Sequence, residues 1–213
     1  MPSQTIVAAG ARPDARLFDY VLGLARGRRV LLDCTASPTF DGALELSVEP
    51  TRLSFWPWPP ENLRELALSH DVILVCGGNT ANLLAVWRVH GFDEILREAW
   101  ESGVVLSGWS AGMICWFEAS VTDSFGPQLA GMRDGLGFLP GSACPHYDAE
   151  KLRRPVYIGL VEDGFPPGLA LDNAAAARFD GTELAEVVAG APGAAGYLVG
   201  PGREDQLETR LLT

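Results

Sequence analysis

Gly108-Trp109-Ser110-Ala111-Gly112 has the spacing G-x-S-x-G. A strand-to-helix turn of this kind needs small residues on both sides of the serine. It pushes the hydroxyl out at the carboxyl end of a strand, where open α/β sheets bind ligands. Such a hydroxyl becomes nucleophilic only beside a base. The chain has three histidines, so elimination is possible. His70 stands before an apolar run, at the amino end of its strand. His90 closes a helix next to Gly91, where a cation favours the dipole. His146 follows the short run Ser142–Pro145, which places it at the same edge as Ser110, so it is the base by position.

The far nitrogen of that imidazole needs an acceptor to fix its tautomer. Asp172, directly after Leu169–Leu171, is the first choice. Asn173 is the alternative, an amide oxygen that would stabilise the imidazolium less. Asp148 and Glu150 lie too close to His146 in sequence to reach round it, and read as a helix N-cap and a first-turn acid. For an oxyanion, the backbone N–H of Ala111 is one donor, and Gly78 in the turn Gly77–Gly78–Asn79 is the other. Asn79 also reads as an N-cap.

The elements that must position these groups alternate. Apolar runs at Thr5–Ala9, Val30–Cys34, Asp71–Cys76 and Val104–Ser107 read as buried parallel strands. Helical spacing follows after Pro13, over Asn62–Ser69, Ala81–Val89, Phe92–Glu101, from about Met113, and over Glu150–Asp163. Beyond residue 165 the pattern is strand-like: Leu169–Leu171, Ala175–Phe179, Glu186–Val188 and Tyr197–Val199. The expected class is α/β, a doubly wound and mainly parallel sheet with helices on both faces and a C-terminal antiparallel extension, in one domain spanning 1–213. The stretch Gly42–Pro60 reads as strands at Leu44–Val48 and Leu53–Trp56 and then prolines, with Trp56 and Trp58 suited either to an active-site lid or to the core.

Composition narrows the function. There are 27 acidic against 16 basic residues in 213, a formal charge of -11, and Lys151 is the single lysine. No basic run exists to release counterions, which argues against nucleic acid. No apolar run approaches the ~20 residues of a membrane span. The cysteines (Cys34, Cys76, Cys115, Cys144) sit singly with no C-x-x-C pair, so a zinc site is not expected and they read as reduced thiols in a cytoplasmic protein, with Cys76 and Cys115 as core filler; no cofactor is expected.

The order Ser110, His146, Asp172 disfavours an α/β-hydrolase, in which the histidine comes last. An acid between 110 and 146, Asp123 or Asp134, would leave little chain for the intervening strands. A glutaminase of the amidotransferase type would need cysteine at position 110. Together, Val72–Thr80 (VILVCGGNT), Ser107–Gly112 (SGWSAG) and Pro145–His146 resemble the dipeptidase E, or aspartyl dipeptidase, family of serine peptidases, distant relatives of cyanophycinases. The resemblance implies a flavodoxin-like fold akin to class I glutamine amidotransferases, no metal, and cleavage of dipeptides with an N-terminal aspartate; the expected partner is a small peptide substrate and the expected state a monomer or homodimer. It assigns Ser110 as nucleophile, His146 as base and Gly78 and Ala111 as oxyanion donors, with the third seat falling on Asp172 or Asn173. An aspartyl side chain would call for a cation, for which Arg153, Arg154 and Lys151 are candidates, with Asn79 a further substrate contact. A solvated helix face balanced by Glu150 is the preferred reading of those three cations. Two other readings remain: a binding protein that keeps the elbow, and a small-acyl esterase or amidase.

Overall fold

The computed structural model describes residues 4–37 and 46–213. In chain order the first half runs β1 (Thr5–Ala9), α1 (Ala15–Leu24), β2 (Val30–Asp33), β3 (Thr51–Leu53), α2 (Leu63–Leu68), β4 (Val72–Val75), α3 (Thr80–Val89), α4 (Phe92–Glu101) and β5 (Val105–Trp109). After the elbow come α5 (Ala111–Ile114), β6 (Phe117–Thr122), β7 (Ala130–Met132), β8 (Leu139–Cys144) and α6 (Arg153–Glu162). The tail adds β9 (Gly168–Leu171), β10 (Ala175–Asp180), β11 (Glu183–Ala189), β12 (Gly196–Gly200), β13 (Arg203–Gln206) and β14 (Thr209–Leu211).

Two sheets result. The larger has the order β14-β11-β10-β1-β5-β4-β2-β3, and its five strands from β1 to β3 are parallel. β10 joins β1 antiparallel, and β11 joins β10 in the same sense. This is the expected flavodoxin-like α/β arrangement with an antiparallel edge. The smaller sheet, β13-β12-β9-β8-β6-β7, was not expected. It arises because the helix after the elbow lasts a single turn, after which Phe117–Thr122, rich in aromatic and β-branched residues, extends as a strand.

Alternation along the central strands feeds two cores. Val7, Val30, Leu32, Val72 and Leu74 pack against Leu17, Phe18 and Val21 of α1. Ile6, Leu31, Ile73 and Leu106 face the other way, into a core shared with Trp87, Leu96, Phe117, Leu139 and Leu171, so the second sheet and the helices α3 and α4 close that side. The outer face of the smaller sheet is covered by Tyr157 and Val161 of α6.

Two expectations need correction. Cys34 and Cys76 are not separate thiols but a disulfide, with Cα atoms 4.7 Å apart. The register explains it: Asp33 pairs with Val75, so the next residue of each parallel strand lies beside its neighbour. Cys115 and Cys144 are free and buried, and burial pushes the Cys144 thiol up to about 12. Of the strand expected over 44–48, residues 44 and 45 lie outside the described residues and 46–48 form none; the lid reading of 42–60 falls partly there. Trp56 and Trp58 are exposed, so they are not core. No described helix is long and apolar enough to cross a membrane.

Candidate active site

The elbow forms because glycine permits two close approaches. A Cβ on Gly112 would fall 2.2 Å from Val75 O, and one on Gly108 would fall 2.4 Å from Gly112 O. The first turn of α5 can therefore sit directly on the ends of β4 and β5. Between these glycines Ser110 is held at φ 54°, ψ -111°. His146, in the loop after β8, has φ 56°. Among the described residues these are the two non-glycine residues with positive φ. Each such conformation costs about 1–3 kcal/mol and persists only where surrounding structure imposes it.

The two strained residues meet. His146 Nε2 lies 2.9 Å from Ser110 Oγ. On the other side, His146 Nδ1 lies 2.7 Å from Asn173 Oδ1. An amide oxygen can only accept, so the proton sits on Nδ1 and leaves Nε2 free to take the serine proton. The side chain beside the imidazole is thus that of Asn173, not Asp172. Asp172 is buried and turned away, its Oδ2 accepting the Ala195 N–H at 2.9 Å. Burial pushes its carboxyl above the usual range, and the Ala195 hydrogen bond opposes that shift.

Backbone links fix the loop that carries Asn173. Its N–H donates to Asp148 Oδ1 at 2.8 Å, so Asp148 braces this turn rather than capping α6. Tyr147 N–H donates to Leu171 O at 3.0 Å, and Gly10 N–H to Ala175 O at 2.9 Å. Ser110 belongs to the larger sheet, whereas His146 and Asn173 follow β8 and β9 of the smaller one. His70 Nδ1 lies 2.7 Å from Leu66 O, and His90 stacks on Phe55 at the end of α3, so neither joins the site.

Across from Ser110 runs the Gly77–Asn79 turn. Gly78 has φ +142°, and a Cβ there would lie 2.2 Å from Ala36 O, so the turn is pressed against residues 35–37. Asn79 N–H is consumed by Ala36 O at 2.8 Å, while Asn79 Oδ1 caps α3 at Asn82 N–H. Ala111 opens α5, so its N–H has no carbonyl one turn back to meet. Gly78 lines one cavity with Ser110, and Ala111 follows Ser110 directly in the chain.

Sequence reading passed over the segment that backs this turn. Ser124 Oγ accepts from Thr80 N–H at 2.9 Å and Ala81 N–H at 3.3 Å, and Ser124 O accepts from Asn79 Nδ2 at 2.9 Å. A cap supplied from 44 residues away leaves no local signal. Asp33 is the second such residue. It is fully buried, and its carboxyl accepts from Thr35 N–H, Thr35 Oγ1 and Trp87 Nε1, at 2.8, 2.5 and 2.7 Å. Burial holds this carboxyl above the usual range against those hydrogen bonds. The folded state therefore binds its proton more tightly than the unfolded chain, so its contribution to stability is whole below the ordinary aspartate pKa of ~3.9 and is lost as pH rises through the raised folded value. Asp33→Asn should flatten that limb of a plot of Tm against pH. An unchanged slope would remove Asp33 as its source.

A cavity of about 360 Å³ opens over the pair, lined by Gly78, Asn79, Ser110, Asp123, Ser124, His146, Glu150 and Arg153. Arg153 is buried, with Nε donating to Glu150 at 2.6 Å and Nη1 to Val121 O at 3.1 Å. Arg154 is elsewhere. It pairs with Glu204 and lies over the rings of Tyr147 and Tyr197, which corrects its assignment to the substrate. Among the described residues no group of three or more His, Cys, Asp or Glu side chains could hold a metal ion.

Comparison with known proteins follows the same residues. The pattern of Peptidase family S51 matches residues 36–187, a stretch that contains Gly78, Ser110, His146 and Asn173. An uncharacterized peptidase, YgaJ, of Bacillus subtilis strain 168 is 49% identical over 155 residues, which is 72% of this chain and 66% of that protein. The chain thus spans just under two thirds of that relative's length. Among solved structures, a peptidase from an acI-B1 Actinobacterium superposes with TM-score 0.67 at 17% identity, covering 96% of this chain and 94% of the other. A proposed peptidase E protein from Listeria monocytogenes EGD-e superposes with TM-score 0.60 at 20% identity, covering 86% and 97%. Those two likenesses speak to fold. The match over most of the chain, with the elbow and its histidine inside it, is decisive: this chain belongs to peptidase family S51.

Proposed function

We propose that the chain is a serine-type peptidase that cleaves small peptides through an acyl-enzyme, using Ser110, His146 and Asn173. The observation that carries this is the 2.9 Å contact between Ser110 Oγ and His146 Nε2, made by two residues that both hold positive φ. His146 takes the proton as Ser110 attacks the carbonyl, then returns it to the leaving amine. The imidazolium formed in between keeps its orientation through Asn173. Backbone N–H groups of Gly78 and Ala111 face the developing oxyanion. Water deprotonated by His146 then releases the acyl group and restores the serine. The cavity volume suits a short peptide rather than a folded protein.

Specificity for an N-terminal aspartate is a narrower matter. Arg153 is the cation present, and Glu150 already takes its charge. A substrate carboxylate would have to share Arg153 with Glu150. The test is fluorophosphonate labelling with the adduct mapped by mass spectrometry, beside a panel of Asp-X and uncharged dipeptides followed by amino-acid release. The expected result is one adduct on Ser110 and release from at least part of the panel. Absence of both would sink the hydrolase reading. An adduct without release would move the substrate to another amide or ester.

A further inference from the structure

The disulfide lies at the root of the turn that carries Gly78. Cys76 stands two residues before Gly78, and Cys34 two residues before Ala36, whose carbonyl Gly78 is pressed against. Backbone hydrogen bonds run beside the cross-link, Cys76 N–H to Asp33 O and Asn79 N–H to Ala36 O, both at 2.8 Å. Gly77, between Cys76 and Gly78, abuts the nucleophile, since a Cβ there would fall 3.1 Å from Ser110 Cβ. A shift of this turn therefore reaches the serine as well as the Gly78 N–H. The two sulfurs differ in access. Cys76 is fully buried, whereas Cys34 is half-buried and lines a cavity of about 200 Å³ with Thr35, Arg52 and Trp56. That cavity shares no lining residue with the one over Ser110.

From this placement we infer that Cys34–Cys76 is a redox site governing Ser110, fast when oxidised and slowed when a dithiol reductant cuts the bond. The inference rests on the hydrolase reading above and adds regulation of that same site. One thiolate of the reductant enters the smaller cavity, where the Arg52 guanidinium favours it, and attacks Cys34 Sγ. The Cys76 sulfur leaves and takes a proton. The reductant's second thiolate then attacks its own sulfur in the mixed disulfide, and Cys34 leaves and is protonated. Two electrons and two protons pass to the protein, and the reductant departs as its own disulfide. The turn keeps its backbone hydrogen bonds but loses its covalent anchor, so the Gly78 N–H no longer holds one position before the oxyanion.

The test compares the rate of fluorophosphonate labelling in protein oxidised with diamide and protein reduced with dithiothreitol, with circular dichroism on both. Alkylation after denaturation should count two thiols in the oxidised form and four in the reduced one, because Cys115 and Cys144 are free in both. Reduced, still folded protein should label about tenfold more slowly, part of the about 10²–10³-fold that loss of a whole oxyanion donor costs. Reoxidation should restore the rate, and Cys34→Ser should label at the reduced rate with or without dithiothreitol. Equal rates in the two forms, a loss that only tracks unfolding, or four thiols after diamide would each overturn the inference while leaving the hydrolase reading intact. No labelling of either form would sink that reading and the regulation with it.

Discussion

Replacing Ser110 by alanine is expected to lower kcat by about 10⁵–10⁶-fold, and His146→Ala should do nearly as much. Neither change touches the fold's core, and alanine keeps a Cβ at φ 54°, so the strain there persists and Tm should stay close to native. The combined variant separates the intended mechanism from alternatives. A nucleophile and its base act as one unit, so the double replacement should be no worse than either single one. The measurement is single-turnover kinetics with the dipeptide that the panel selects. If Ser110→Ala kept more than about one hundredth of native activity, the oxygen that attacks would have to be another, such as water deprotonated directly by His146.

Asn173→Ala should cost about 10²-fold in kcat, the low end of what a well-oriented general base supplies. Without the amide oxygen 2.7 Å from Nδ1, the ring can turn or protonate on the wrong nitrogen. Asn173→Asp keeps an acceptor in place and should stay within about tenfold of native. Asp172 offers the contrast. Its carboxylate holds the Ala195 N–H, so Asp172→Ala leaves a buried donor unpaired and should cost about 1–3 kcal/mol of stability with little change in kcat. Thermal unfolding and kcat measured on the same three proteins decide the matter. A collapse of kcat in Asp172→Ala with Asn173→Ala near native would reverse the two roles.

The adjacency of those two residues marks how far the chain could be read unaided. Buried strands such as Val72–Val75 and the glycines around Ser110 announce themselves, because continuous apolar runs and crowded turns restrict residue type locally. His146 could be found by elimination among three. Which of two neighbouring side chains faces it could not be found that way, since the direction is set by Ala195 and Asp148, both distant in sequence. The same holds for the strand pair β6 and β7, hidden behind an apolar stretch that reads as a continuing helix. The link between Cys34 and Cys76 needed only the knowledge that β2 and β4 are neighbours, which no pattern within either strand supplies.

The hydroxyl and the imidazole come from different β layers, and the chain passes between those layers twice beside them, at α5 and at residues 172–174. In the proposed mechanism, proton transfer across 2.9 Å tolerates almost no slippage between the two. Turnover then becomes a gauge of seating: a molecule whose smaller layer has slid by an ångström would keep its spectroscopic signature of folded backbone and yet lose about 10²-fold in rate.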